Sequence, residues 1–176
     1  MKKLTMDELN RVSTAEFKAQ EKTPIIVVLD NVRSMYNVGS VFRTCDGFAM
    51  EALYLCGITA CPPHKEIAKT ALGATESVNW KHFDSTVEAV GELKTQGYRV
   101  FAVEQVDTSI ALQDFDFTAG EKIAIILGNE VFGVDDEVLP LCDGAIEIPQ
   151  AGTKHSFNVS VAGAIVMWEL FRKIEN

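Results

Sequence analysis

The chain has 176 residues, 47% of them hydrophobic and 23% charged, which are the proportions of an ordinary globular protein of one domain. No apolar run reaches the roughly 18 residues of a membrane span, and the first residues lack the apolar stretch of a signal peptide. The sequence therefore predicts a cytoplasmic protein without membrane contact. Its four cysteines form no C-x-x-C pair, so we expect buried free thiols and no metal site.

The net charge of −9 is unfavourable for binding nucleic acid, but the acidic residues are concentrated in one segment. Asp84 to Glu147 contains 14 Asp or Glu and three Lys or Arg, whereas each flanking segment carries a net charge of +1. An RNA-binding face built from the two flanks is compatible with this distribution, although the sequence does not locate one.

The first half of the chain predicts two strands and three helices. Residues 5–20 have helical spacing, with Leu9, Val12 and Phe17 on one side. Residues 24–30 form a continuous β-branched run, typical of a strand buried on both faces. Helical spacing returns at 38–50, a second strand is predicted at 51–57, and a short helix at 64–72.

The second half continues the alternation. We predict a helix at 85–96 closed by Gly97, strands at 98–103, 122–128 and 145–149, a brief helix at 135–141, and an apolar helix at 159–173. Strands that alternate with helices indicate an α/β fold with a mainly parallel sheet sandwiched by helices. We therefore expect one domain over residues 24–176, preceded by an N-terminal helix within residues 1–23.

Three polar loops follow predicted strands, where open parallel sheets bind ligands. In the first, Asn37 can cap the following helix and Gly39 lets another group approach its first turn. Arg43 lies six residues after Asn37, about 1.7 helical turns on. From the spacing alone, a capped helix with one surface arginine is favoured.

The second loop begins with Leu127-Gly128-Asn129-Glu130, which puts free backbone N–H groups and a carboxylate at the end of a buried strand. That arrangement suits a small polar ligand, and it also suits a structural loop with a solvated glutamate. The third loop runs from Ile148 through Ser156, Asn158 and Ser160 into the last helix, which Asn158 and Ser160 can cap. No dinucleotide or nucleoside-triphosphate loop motif occurs, and the three histidines have no metal ligand at suitable spacing.

Together and in order, these loops resemble the three motifs of the SpoU/TrmH-type RNA 2′-O-ribose methyltransferases, which belong to the SPOUT superfamily. The segment 30–46 is similar to motif 1, Leu127-Gly128-Asn129-Glu130 with Gly133 to motif 2, and Ser156-x-Asn158-x-Ser160 to motif 3. Ala71-Leu72-Gly73-Ala74 is also similar to a segment common in the family. The resemblance covers roughly residues 24–173.

The resemblance implies a deep trefoil knot in the C-terminal part, a homodimer, and S-adenosylmethionine as cofactor. It implies that the catalytic residues are Asn37, Arg43, Glu130, Ser156 and Asn158. It implies that the cofactor is held by Leu127, Gly128, Asn129, Ile148 and Ser156, without a metal. The expected activity is methylation of a ribose 2′-hydroxyl of RNA, with transfer RNA favoured over ribosomal RNA because a short chain must read an accessible loop.

Arginine keeps its charge in proteins, so we expect Arg43 to clamp a phosphate and stabilise a developing alkoxide, while phosphate or water takes the proton. Glu130 is expected to suit the cationic methyl donor. Two alternatives remain open at this stage. One is a non-catalytic RNA-binding or scaffold protein of the same fold, and the other is a nucleotide-binding α/β oxidoreductase.

Overall fold

Seven strands form one parallel sheet in the computed structural model, which describes residues 1–5, 7–118 and 120–175. In chain order the strands are β1 Thr23–Asp30, β2 Met50–Cys56, β3 Trp80–Phe83, β4 Arg99–Val103, β5 Ile110–Ala111, β6 Ile123–Leu127 and β7 Gly144–Glu147. Their spatial order is β3-β2-β1-β6-β4-β7-β5, which puts β1 and β6 side by side in the interior of the sheet.

Helices cover both faces of this sheet. They are α1 Thr14–Ala19, α2 Met35–Gly47, α3 Lys65–Ala71, α4 Ala74–Ser77, α5 Thr86–Thr95 and α6 Val159–Glu175. Ile25, Val27 and Leu29 of β1 point into the core shared with α2, α3, α4 and α6. Ile26 and Val28 point into the core shared with α5. All five side chains are buried, which explains the continuous apolar run and confirms the α/β sandwich.

A close contact between α2 and α3 fixes the helical layer near the polar loops. A Cβ added at Gly39 would lie 2.1 Å from Thr70 Oγ1 and 2.3 Å from the Ile67 carbonyl oxygen. Only glycine therefore allows α3 to pack against the first turns of α2, which confirms the close approach expected at Gly39. None of the described helices is long and apolar enough to cross a bilayer.

The continuous N-terminal helix predicted over residues 5–20 is wrong. A 3-10 turn at Asp7–Leu9 ends at Asn10, whose φ of 47° is left-handed. Helix α1 begins separately, because Ser13 and Glu16 form a reciprocal capping box. Phe17 is buried, whereas Leu9 and Val12 are exposed. Met6, which falls within the predicted helix, lies outside the described residues.

Other differences have local causes. Helix α2 begins three residues earlier than predicted because Ser34, and not Asn37, is its cap: its hydroxyl accepts the Asn37 N–H. The helix predicted at 135–141 is reduced to a 3-10 turn at Leu139–Leu141, because Pro140 has no N–H to continue a helix. The short elements α4, β3 and β5 were not predicted, since two to four residues carry too little periodicity.

Candidate active site

A cavity of about 790 Å³ lies at the carboxyl ends of β4, β6 and β7. The loops that follow these strands and the start of α6 line it, which is where a parallel sheet binds ligands. All five residues expected to hold the cofactor are among its lining residues: Leu127, Gly128, Asn129, Ile148 and Ser156. The structure thus brings together residues that lie up to 29 positions apart in the sequence.

The loop after β6 is a closed and rigid structure. Asn129 and Gly133 exchange two backbone hydrogen bonds of 2.8 and 3.0 Å. The Asn129 side chain accepts N–H groups from Val131 and Phe132 and donates to the Asn31 carbonyl at 2.7 Å. A Cβ on Gly128 would lie 2.1 Å from the Gly133 carbonyl carbon, so a substitution at Gly128 would displace the loop itself.

The Glu130 carboxylate ties this loop to the one between β1 and α2. It accepts backbone N–H groups from Arg33 and Ser34 and the Asn37 Nδ2 group, each at 2.9 Å. Burial alone would raise the pKa of Glu130, but these donors outweigh it and leave the pKa below its ordinary value of 4.5. Glu130 is therefore an anion whose oxygens are already engaged, and it orders the loop that carries Asn37.

Asn37 continues the network into the third polar loop. Its Oδ1 accepts Asn158 Nδ2 at 3.2 Å. The Ser160 hydroxyl donates to Asn158 Oδ1 at 2.7 Å and lies 3.5 Å from Asn37 Oδ1. Asn158 Oδ1 in turn accepts the Ser160 N–H at 3.0 Å, so Asn158 also caps α6. Asn158 therefore caps α6 and also contacts Asn37. Ser160 joins this network, although the expected site residues do not include it.

Two of the expected catalytic residues stand apart from this network. Ser156 lines the cavity, but no hydrogen bond of its side chain is found in the described part of the chain. Arg43 is exposed on α2, does not line the cavity, and forms no ion pair with any described residue. Within one chain, the structure unites Asn37, Glu130 and Asn158 and leaves Arg43 outside.

The cavity is acidic. Its described lining contains the carboxylates of Glu104, Glu130, Asp136 and Glu147, and no lysine or arginine. Glu104 was not predicted as a site residue, yet it is the first residue after β4, next to β6 in the sheet. Its two oxygens accept the Gln105 and Val134 N–H groups at 2.9 and 3.1 Å, which leaves further acceptor capacity at the cavity. No cluster of metal-ligating side chains is found among the described residues.

Known proteins of similar sequence and structure share this architecture. The chain is 30% identical to a tRNA (guanosine(18)-2′-O)-methyltransferase of Thermus thermophilus, over 94% of this chain and 84% of that protein. A TrmH/SpoU tRNA modifying enzyme of A. aeolicus superposes with a TM-score of 0.80 at 28% identity, over 92% and 80% of the two chains. An AdoMet-bound rRNA methyltransferase from Sinorhizobium meliloti, at 24% identity, has the same fold with a TM-score of 0.80, over 90% of this chain and 60% of that one.

Some relatives are longer than this chain. It spans 63% of a TrmH-family tRNA/rRNA methyltransferase of Staphylococcus saprophyticus, to which it is 30% identical over 159 residues. The model of the SpoU rRNA methylase family matches residues 24–168, which include all three polar loops and the whole sheet except Thr23. The chain belongs to the SpoU rRNA methylase family.

Proposed function

We propose that this chain transfers the methyl group of S-adenosylmethionine to a ribose 2′-hydroxyl of RNA. The observation that carries the proposal is the hydrogen-bonded network of Glu130, Asn37 and Asn158 at the edge of the acidic cavity. It joins three polar loops that are distant in sequence and meet at the carboxyl ends of the strands. The name of the Thermus thermophilus relative gives tRNA as that protein's substrate, which supports tRNA over rRNA here.

The composition of the cavity fits this cofactor. S-adenosylmethionine supplies an electrophilic methyl group on a positively charged sulfur. A lining with four carboxylates and no described lysine or arginine attracts a cation and disfavours a pyrophosphate. We assign the backbone around Leu127, Gly128, Asn129 and Ile148, together with the Ser156 hydroxyl, to holding it. We assign Glu104, in place of Glu130, as the carboxylate that faces the ligand, because Glu130 accepts three hydrogen bonds from motif 1 whereas Glu104 accepts two backbone N–H groups.

In the proposed reaction the protein mainly positions the reactants. The ribose oxygen forms the new O–C bond as the S–C bond breaks, and its proton leaves to a phosphate oxygen or to water. Asn37 and Asn158 orient the ribose, and Glu130 holds Asn37 in place. Arg43 clamps a phosphate and stabilises the developing alkoxide, since a guanidinium donates hydrogen bonds but does not accept a proton.

A homodimer explains the position of Arg43. On α6, Val161 and Trp168 are exposed. The Trp168 ring centroid lies 5.8 Å from that of Phe48 and 6.3 Å from that of Phe171. A second copy packed on this apolar patch would cover it. Arg43 lies on the neighbouring helix α2, is exposed and does not line its own cavity, so we assign it to the cavity of the partner.

The proposal includes a trefoil knot over the C-terminal part of residues 24–176, the methyltransferase domain, with residues 1–23 as an appendage. Three features support it. The chain passes from β6 across β4 to reach β7, and the loop at 148–158 then returns past the same cavity. Asn158, which caps α6, finally contacts Asn37 in the first turn of α2.

Calorimetric titration of the purified chain tests the proposal against its two alternatives. We expect S-adenosylmethionine to bind with one site per chain and NAD not to bind. Binding of NAD alone would indicate an oxidoreductase. A chain that binds RNA but neither small molecule would be a scaffold, and the proposed activity would be wrong.

A further inference from the structure

Several exposed basic side chains near motif 1 lack acidic partners in the described part of the chain. In the acidic segment, by contrast, Lys94 and Arg99 pair with Asp143 and Glu121, although Lys122 forms no ion pair with a described residue. Arg33, Lys65 and Lys69 form no ion pair with any described residue, and all three are exposed. Their positive charge is therefore available to an external anion, on the half of the sheet that carries motif 1.

An aromatic ring accompanies this charge beside the proposed catalytic network. Tyr36 precedes Asn37, and its side chain is 46% exposed. Its carbonyl accepts the hydroxyls of Ser40 and Thr70 at 2.8 and 3.0 Å, which fixes this turn of α2 against α3. Lys69 Nζ lies 3.5 Å from the Tyr36 hydroxyl and 5.8 Å from the ring centroid. The ring and the ammonium group are thus presented together.

A second cavity continues the surface formed by Tyr36 and Lys69 toward the N-terminus of α3. Lys65, one helical turn before Lys69, lines a cavity of about 540 Å³ together with Pro62, Pro63 and Trp80. Trp80 is 37% exposed, and its ring packs edge-on against Phe42 at 6.5 Å, so its orientation is fixed. Flat rings and prolines can stack on any nucleobase, whatever its identity, and a lysine can bind the adjacent phosphate.

Glu76 is the acidic member of this second cavity. A carboxylate repels phosphate but accepts a hydrogen bond from the exocyclic amino group of a base. The cavity therefore suits a base that carries an exocyclic amino group. Repulsion by Glu76 keeps the phosphate on the side of the cavity where Lys65 lies.

We propose that Tyr36, Lys69, Lys65 and the Trp80 cavity form a track that binds a single-stranded segment of the RNA substrate. Bases stack on Tyr36 and Trp80, and the two lysines contact phosphates between them. The track leads to Asn37, so RNA held along it reaches the methylation site. This inference rests on the proposed function, and it explains how a chain of net charge −9 retains a site for a polyanion.

The Lys65→Ala/Lys69→Ala variant tests the charge of the track. Its control, Lys81→Ala/Lys94→Ala, removes the same charge from two lysines that pair with acidic residues. Lys81 lies on the edge strand β3. Lys94 lies on α5, which covers the opposite face of the sheet. Binding of unmodified tRNA, followed by fluorescence anisotropy over a range of salt concentrations, should weaken about tenfold in the first variant and little in the control. The slope of log affinity against log salt should become shallower by about 1.4, because each of the two lost lysine–phosphate contacts contributes about 0.7.

Stacking is tested with the two tryptophans, one variant each. In Trp168→Phe the remaining tryptophan is Trp80, and single-stranded oligocytidylate should quench its fluorescence. In Trp80→Phe the remaining Trp168 should not respond. Equal tRNA affinity of the track variant and wild type, or an unquenched Trp80, would overturn the track. If S-adenosylmethionine binds normally in these proteins while tRNA affinity is unchanged, the proposed function stands without the track. If wild type itself binds no RNA, both are wrong.

Discussion

The two halves of the sheet differ in charge, and the difference matches two kinds of ligand. Around β4, β6 and β7, four carboxylates line a cavity whose described residues include no lysine or arginine. Around β1, β2 and β3, exposed Arg33, Lys65 and Lys69 lack ion pairs, and Tyr36 lies among them. A cationic cofactor suits the first region and a polyanionic substrate suits the second. The net charge of the whole chain averages the two and so predicts neither.

The largest expected effect comes from Arg43, which we assign to the cavity of the partner. Arg43→Ala should lower kcat by about 10²–10³-fold, the usual cost of removing one donor to developing charge. Arg43→Lys should recover little, because an ammonium group does not form a bidentate contact with a phosphate. Affinity for S-adenosylmethionine should not change. Single-turnover methylation of bulk RNA measures the rate, and Arg11→Ala, another exposed arginine, is the control.

Mixing two inactive variants tests whether Arg43 serves the partner's cavity. Arg43→Ala retains an intact cavity, whereas Glu104→Lys retains Arg43 but repels a cationic cofactor. If Arg43 acts across a dimer, a mixture of the two should regain activity that neither has alone. No recovery, together with sedimentation as a monomer at micromolar concentration, would contradict the composite site.

A smaller effect is expected at Glu104, the carboxylate assigned to the acidic region. Glu104→Gln keeps the hydrogen-bonding shape but removes one negative charge, so affinity for S-adenosylmethionine should fall about tenfold. The rate at saturating cofactor should change much less. Glu88→Gln removes the same charge from an exposed position on α5 and serves as the control. Equal affinities of the two variants, measured by calorimetry, would remove Glu104 from the cofactor site.

Glu130 predicts a pH dependence at the boundary between the regions. Its pKa is lowered in the folded chain, so the order it gives the loop is complete above pH 4.5 and is lost as the pH falls through the lower folded value. The backbone amide signals of Arg33 and Ser34 should titrate with a midpoint below 4.5, and Glu130→Gln should abolish that titration. A midpoint at or above 4.5 would mean that these amides do not hold the carboxylate.

The smallest effect concerns the support of the basic region by α3. Gly39→Ala should reduce the free energy of unfolding by about 1–3 kcal/mol, because the added methyl group overlaps Thr70 and the Ile67 carbonyl. Gly47→Ala, at the end of the same helix, meets no atom within 4 Å and should be neutral or slightly stabilising. Chemical unfolding of both variants distinguishes local crowding from the general effect of replacing glycine in α2.

The fold was predictable where a buried strand corresponds to a continuous apolar run in the sequence. β1, β4 and β6 agree with their predicted ranges to within one or two residues, because each is covered on both faces. The N-terminal helix was wrong because helical spacing does not reveal the break at Asn10 or the capping box at Ser13. Strand order was outside the reach of periodicity, since β6 pairs with β1 although about 90 residues separate them.

That the polar loops meet was predictable, but the hydrogen bonds between them were not. The motif resemblance implies one site for Asn37, Glu130 and Asn158, and the structure joins their side chains by hydrogen bonds, while their catalytic roles stay predictions. Sequence alone gave no sign that Glu130 would be engaged by backbone N–H groups, or that Glu104 would face the cavity. The basic track was likewise hidden, because its residues come from α2, α3 and β3 and meet only in the folded chain.

Methyl transfer to RNA is the central claim, and a labelled cofactor tests it most directly. Purified protein is incubated with unmodified tRNA and S-adenosylmethionine that carries a deuterated methyl group, and the digested nucleosides are analysed by mass spectrometry. The account predicts one nucleoside that carries the deuterated methyl group on its ribose, absent from the Arg43→Ala reaction. A label found only on a base, or no label in RNA despite cofactor binding, would contradict it.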